Sequence, residues 1–350
     1  MEYMHRAQPL GYLVAALTSF VLLGAASAQE LVSAETVAVI QEELPIAVIV
    51  AAAASDGVPA TASAAPDSPT AAERVKRCQE MFHLPWGPLT ECRTAIVGSA
   101  VSLVLSTGAI QWWKRGFSSH ITRVNEGGFG RETYTGGVDK LGHAYSFYIG
   151  TRVVSDALRW GGTGKTEAMV TSALANAGTA YLIELFDGYS KKTYGFSRED
   201  LVADAVGIIM GTAVNVFPEL DRKFAYRMRY YPKGAGGSAN FIDSYEGQTF
   251  FLTARMSGFM DLSPKNPLRY LELVFGYRGT GFKPRVGIPG VDYARHERRT
   301  YYGIGLNVEE ILRGSVFASN ARPTRIQAIT EGVLTYVQLP GTVFAETHAF

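Results

Sequence analysis

Apolar and polar positions change period once along this chain. Between residues 94 and 217 they recur with helical spacing in runs rich in small side chains, and beyond about residue 246 they alternate with period two. The first helical run, "TAIVGSAVSLVLSTGAIQWW" at 94 to 113, is uncharged and ends in paired tryptophans followed by Lys114 and Arg115. That is the profile of a short membrane span with an interfacial aromatic end. Its Gly and Ser residues suit a buried or surface-lying helix better, and the later runs are too charged to bring a span back. Three further helices are expected. One covers Asp139 to Trp160 and is ended by Gly161 and Gly162; a second is capped by Thr163 and runs to about Phe186. The third starts at Ser197, with Asp200 three residues on and Phe196 placed to staple against Leu201, and it stops at Phe217 before Pro218.

In the alternating part, the apolar positions are Phe250, Leu252, Ala254 and Met256, then Leu271, Leu273, Phe275 and Tyr277, then Tyr302, Ile304, Leu306 and Val308. These read as amphipathic antiparallel strands. Five or six are available, fewer than the eight of the smallest transmembrane barrels, so the Leu271, Leu273, Phe275 face is expected to pack onto protein. The fold class is therefore α+β: a four-helix core of small-residue-rich helices, then a C-terminal antiparallel sheet packed on it. The expected layout is a signal peptide at 1–28, an Ala/Pro/Ser-rich tether at 29–77, a helical domain at 78–232 and a β region at 233–350. A short apolar patch, "PIAVIV" at 45 to 50, interrupts the tether.

The N-terminus changes the compartment. Arg6 precedes an apolar run from Leu13 to Leu23, and "ASA" at 26 to 28 supplies small residues where a signal peptidase cuts. An exported protein, in the periplasm or at the periphery of an envelope membrane, is expected, with Gln29 first in the mature chain. Export puts Cys78 and Cys92, the only cysteines, in an oxidising compartment, which favours a disulfide. The charge is nearly balanced, 33 Lys and Arg against 32 Asp and Glu, and that argues against a nucleic-acid partner. "DRKFAYRMRYYPK" nonetheless interleaves Arg222, Lys223, Arg227, Arg229 and Lys233 with aromatic residues, a mix suited to anionic headgroups.

Candidate chemistry lies in polar pairs at helical spacing: Asp139 with His143, Glu184 with Asp187, Asp200 with Asp204. Each pair shares one helix face, and carboxylates in apolar surroundings need a partner or a cation. Convergence on one centre is expected, with His143, Asp139 and Glu184 as the candidate catalytic residues and Asp187, Asp200 and Asp204 as candidate ligands of a hard divalent cation such as Mg²⁺, Mn²⁺ or Ca²⁺. The competing reading is helix capping by Asp139 and Asp200 in first turns. "WGGTGKTEA" is not a phosphate-binding loop, since Arg159 stands where the motif needs Gly and a helix precedes it.

"DKLGHAYSFY" and "ELFDGYSKKTYGFSREDLVADAVG" together resemble the uncharacterised bacterial envelope family of predicted periplasmic lipoproteins of the YfiM type, and more distantly VanZ-type membrane proteins. The resemblance spans about residues 105 to 218. It implies an envelope location and a helical core, and brings no established activity. The chain departs from the pattern twice: no lipobox cysteine precedes the cleavage site, which argues against a lipid anchor, and Asp204 stands where the wider pattern has Asn. Two functions follow as expectations. One is a structural or binding role at a membrane surface or with an envelope protein partner, with a polar Asp/His/Glu centre inside a helical bundle. The other is a metal-assisted hydrolase or transferase acting on a lipid-linked or cell-wall substrate, with His143 as general acid or base.

Overall fold

The computed structural model describes residues 70–81, 83–84, 87–88, 92–191, 195–231, 245–260, 262–263, 265–282, 296–320 and 324–349. The signal segment at 1–28, the tether up to residue 69, "PIAVIV" and Lys233 lie outside the described residues. The chain divides into two compact units, one of residues up to 124 together with 150–197, the other of 125–149 together with 198–350.

In the first unit, helix α1 (Ala71–Met81) occupies what composition assigns to the end of the tether. Thr70 and Glu73 cap it reciprocally: the Thr70 N–H donates to Glu73 Oε2 at 2.7 Å, and the Glu73 N–H to Thr70 Oγ1 at 3.2 Å. A short antiparallel pair, β1 (His83–Leu84) and β2 (Gly87–Pro88), leads to α2 (Cys92–Gln111). Among the described residues α2 is the one helix long and apolar enough to cross a membrane. The Cys78–Cys92 disulfide ties α1 to α2, and both cysteines join Ile96, Val154, Leu158 and Ala168 in one apolar cluster. Strand β3 (Arg123–Val124) follows. Helix α3 (Val138–Trp160) belongs to this unit from Gly150 onward, and α4 (Lys165–Tyr189) and β4 (Phe196–Ser197), parallel to β3, complete it. Helix α4 is capped by Gly164 and not by Thr163, and no side chain bonds at its cap.

The second unit holds the first turns of α3, then α5 (Arg198–Val216), α6 (Pro218–Lys223), α7 (Met256–Phe259), α8 (Val308–Gly314) and α9 (Arg325–Tyr336). Its antiparallel sheet has the order β5 (Phe224–Tyr230), β6 (Gln248–Arg255), β7 (Leu271–Thr280), β8 (Glu297–Leu306), β9 (Val343–Ala349). The α+β class is the observed one. Val138, Ala144, Tyr145 and Tyr148 of α3 pack against Tyr226, Phe250 and Tyr277 at one end of the sheet. Phenol hydroxyls tie this cluster to its surroundings, Tyr226 donating to the Leu141 carbonyl of α3 at 2.9 Å, Tyr277 to that of Gly136 just before α3 at 2.6 Å and Tyr145 to that of Tyr336 in α9 at 2.7 Å.

The rest of the same sheet face is open, which corrects the expected packing of Leu271, Leu273 and Phe275. Leu273 and Phe275 are exposed, while Glu272 and Val274 between them are buried. A charged pair decides the phase: Arg227 Nη1 donates to both Glu272 oxygens, at 2.7 and 2.9 Å, on the buried face. Removing one partner of such a pair from a low-dielectric site costs about 3–5 kcal/mol, comparable to exposing two large apolar side chains at about 1.5–3 kcal/mol each. Arg229 is likewise committed inside, its guanidinium stacked 4.9 Å from the Phe251 ring centre and 5.3 Å from that of Tyr231. Two of the basic residues expected to meet headgroups are thus used by the fold.

Candidate functional site

The polar centre of the second unit begins with a backbone device. Thr135, Gly136 and Gly137, just before α3, have φ of 52°, 63° and 84°, and Thr135 is the one non-glycine residue with positive φ among the described residues. For a β-branched residue this conformation costs about 1–3 kcal/mol. The gain is position. Thr135 Oγ1 donates to Asp139 Oδ1 at 2.7 Å and accepts from the Asp139 N–H at 3.1 Å, so the first carboxylate of the helix is locked before it meets anything else. Side chains are excluded at the two glycines, where a Cβ would lie 2.5 Å from the Phe282 ring and 2.6 Å from that of Phe129.

Lys140 is the hub. An ammonium has three N–H donors, and here each meets a carboxylate: Asp200 Oδ1 at 2.6 Å, Glu126 Oε2 at 2.6 Å and Asp139 Oδ2 at 2.9 Å. All four side chains are largely withdrawn from solvent, Asp139 almost completely. Burial alone would lower the Lys140 pKa, but the charges of Asp139, Asp200 and Glu126 outweigh it and hold the ammonium well above its ordinary value. Glu126 moves the other way: burial, with the charge of Asp200 adding to it, pushes its carboxyl up to about 8 despite the ammonium beside it. The three acids have oxygens within 4.8 Å of one another, a spacing that could hold a metal ion. The Lys140 ammonium takes that place.

One turn along α3, His143 faces the same centre. Its Nδ1 is 2.8 Å from Asp204 Oδ1, and its Nε2 is 3.7 Å from Asp200 Oδ1. Asp204 is fully buried, and its Oδ2 has no hydrogen-bond partner among the described residues. Burial raises its pKa, with the neighbouring imidazole opposing. The approach of α3 and α5 that permits this contact depends on Gly207, where a Cβ would stand 2.1 Å from the Ala144 carbonyl oxygen.

Asp139, His143, Asp200 and Asp204 are thus brought together. Within the first unit, Glu184 Oε2 accepts from the Ser197 N–H at 2.8 Å, and Asp187 Oδ1 accepts from Trp113 Nε1 at 2.6 Å. Sequence reasoning missed Lys140 as the hub, together with Glu126 and Thr135. Lys140 carried a signal, being the residue after Asp139 at the start of an apolar helix. Glu126, in the irregular "NEGGFG", carried none, because no period links a loop residue to a helix face.

Chemically, the centre offers a polar helix-to-helix link and a histidine whose side chain keeps 22% of its surface exposed. Residues 125–216, which include all the residues of the centre, match the model of the family described as "Predicted periplasmic lipoprotein (DUF2279)". The same comparisons return no match among curated proteins or solved structures. The match supports the resemblance to an uncharacterised envelope family and lends none to the VanZ-type likeness. Over this segment the chain is similar to a family of exported proteins, and a periplasmic or envelope location is the one it supports.

Proposed function

We propose that the protein is a non-catalytic envelope protein that rests on a membrane surface through the open face of its sheet, with the Lys140 centre as an internal lock. The observation that carries this reading is a patch in register across four strands. Leu252, Phe275 and Tyr302 are cross-strand neighbours, as are Leu273, Ile304 and Phe344 in the adjoining row, and all six are 44% exposed or more. Contiguous apolar surface of this kind is what water-soluble proteins keep for a partner or a bilayer. A lipid surface is favoured because Phe224, at the end of the second row, is preceded by Lys223, which supplies positive charge beside the patch. The exported character of the matched family supports the same compartment.

A metal at Asp139, Asp200 and Glu126 is less well supported, since these three acids already end on the Lys140 ammonium. Flotation of the mature protein with vesicles containing anionic lipid tests the proposal. The double variant Leu273→Ser, Phe275→Ser should lose flotation and keep its unfolding midpoint, because both side chains are exposed. Flotation equal to the parent, or a parent that ignores vesicles, would refute the membrane role; capture of a protein partner through the same residues would redirect it.

A further inference from the structure

A cavity of about 270 Å³ lies in the second unit, away from the Lys140 centre, lined by Arg222, Arg255, Ser257, Arg269, Glu309 and Arg313 among others. All four arginines face a carboxylate, and three of them hydrogen-bond to it. Arg269 Nε donates to Glu310 Oε1 at 2.9 Å, Arg313 Nη2 to Glu309 at 2.8 Å and to Glu331 at 2.9 Å, and Arg222 to Glu219 at 2.9 Å. Arg255 differs. It is 8% exposed, and its Nη1 donates to the Asp221 carbonyl at 3.1 Å, but its Nε and Nη2 make no hydrogen bond among the described residues. Glu309 Oε2, 3.4 Å from that Nη2, also lacks a hydrogen bond there. Arg255 Nη2 and Glu309 Oε2 form an ion pair too poorly aligned to be a hydrogen bond, and Arg255 Nε has no acceptor among the described residues; buried polar atoms left so on a cavity wall are costly to keep and define what would satisfy them.

We propose that this cavity binds a hydroxyl-bearing phosphate ester of the glycerol phosphate type. Two phosphate oxygens would accept from Arg255 Nε and Nη2, the planar fork that matches such groups, and a ligand hydroxyl would donate to Glu309 Oε2. The volume is below the roughly 300–1,000 Å³ of pockets that enclose whole drug-sized molecules, so it admits a headgroup and no acyl chain. Met260 on the cavity wall and the adjacent Phe259 are 46% and 51% exposed and offer apolar surface to a chain left outside. Free glycerol phosphate and the headgroup of a phosphatidylglycerol lipid carry the same chemistry. The site does not depend on the membrane reading, since the soluble ester satisfies the same groups.

Calorimetric titration of the mature protein with glycerol 1-phosphate should give saturable one-to-one binding, tighter than that of inorganic phosphate, which lacks the hydroxyl. Arg255→Gln should weaken it at least tenfold. Arg222→Glu should weaken it as well, and since that side chain is largely exposed, this variant keeps the test open if Arg255→Gln fails to fold. Phosphatidylglycerol vesicles that compete with the soluble ester identify a lipid ligand, and vesicles that do not compete identify a soluble one; phosphatidylcholine vesicles are the control. The Leu273→Ser, Phe275→Ser protein should bind glycerol phosphate normally, which separates this site from the sheet face. No saturable binding of either probe, or binding unchanged in both arginine variants, overturns the proposal.

Discussion

Glu126→Gln isolates the least expected charge of the polar centre. The glutamine amide copies the protonated acid in shape and still offers an oxygen to Lys140 Nζ, 2.6 Å from the carboxylate in the parent. The Glu126 carboxyl rises from 4.5 to about 8, mainly through burial and then through the charge of Asp200. A carboxyl whose pKa is raised by folding binds its proton more tightly in the folded state. Its contribution is therefore fully present below about pH 4.5 and is lost as pH climbs through about 8. Each pH unit inside that window is worth up to ~1.4 kcal/mol, so the whole displacement is worth at most about 5 kcal/mol. The side chain keeps 16% of its surface in solvent, and screening there brings the expected effect nearer ~2 kcal/mol. Lys140 does not blur the reading: its pKa is raised too, and a raised lysine contributes constant stability until pH passes its ordinary value. Denaturant unfolding followed by circular dichroism, from about pH 5 to about pH 9 to bracket this window, should show the variant gaining on the parent as pH rises. A ¹³C carboxyl titration should place the Glu126 midpoint near 8. A stability difference that does not change with pH, or a midpoint near 4.5, would refute the argument.

Lys140→Met leaves three acidic side chains around an apolar one and should cost about 3–5 kcal/mol at neutral pH, part of it recovered on acidification, as read by unfolding midpoints at two pH values. Asp204→Asn removes a charge that burial disfavours, so the variant should stay within ~1 kcal/mol of the parent and gain on it as pH rises, in the same assay. Cys92→Ser opens the loop closed by the disulfide, of sequence separation 14, and should lose ~3 kcal/mol, matched by the effect of reductant on the parent and absent when reductant is added to the variant.

Legibility followed the range of the forces involved. Asp139 with His143 and Asp200 with Asp204 were readable because an i,i+4 spacing on a helix fixes a shared face whatever the rest of the chain does. For Glu184 and Asp187 the same spacing gives a shared helix face, but it does not foretell the backbone N–H and the indole N–H that donate to them within the first unit. The Thr70 and Glu73 capping box is written in "TAAE", but the low apolar content around it has the composition of a tether.

The sheet went furthest from expectation for a reason that bears on function. Period-two alternation marks two faces and does not say which is inside; the usual rule turns the apolar one inward. Here the polar face turns inward, because Arg227 meets Glu272 two strands away in a low-dielectric layer and Gly276 gives the Phe251 ring room to lie flat against the sheet, where a Cβ would come within 2.6 Å of it. The apolar face is thereby left to whatever lies outside the unit, except where α3 covers Phe250 and Tyr277. A fold that places a buried ion pair behind its sheet and Leu273, Phe275 and Ile304 in front of it leaves the apolar row exposed, the row that the proposed membrane role uses. Mutating the pair should therefore disturb binding and stability together, and mutating the exposed row should disturb binding alone.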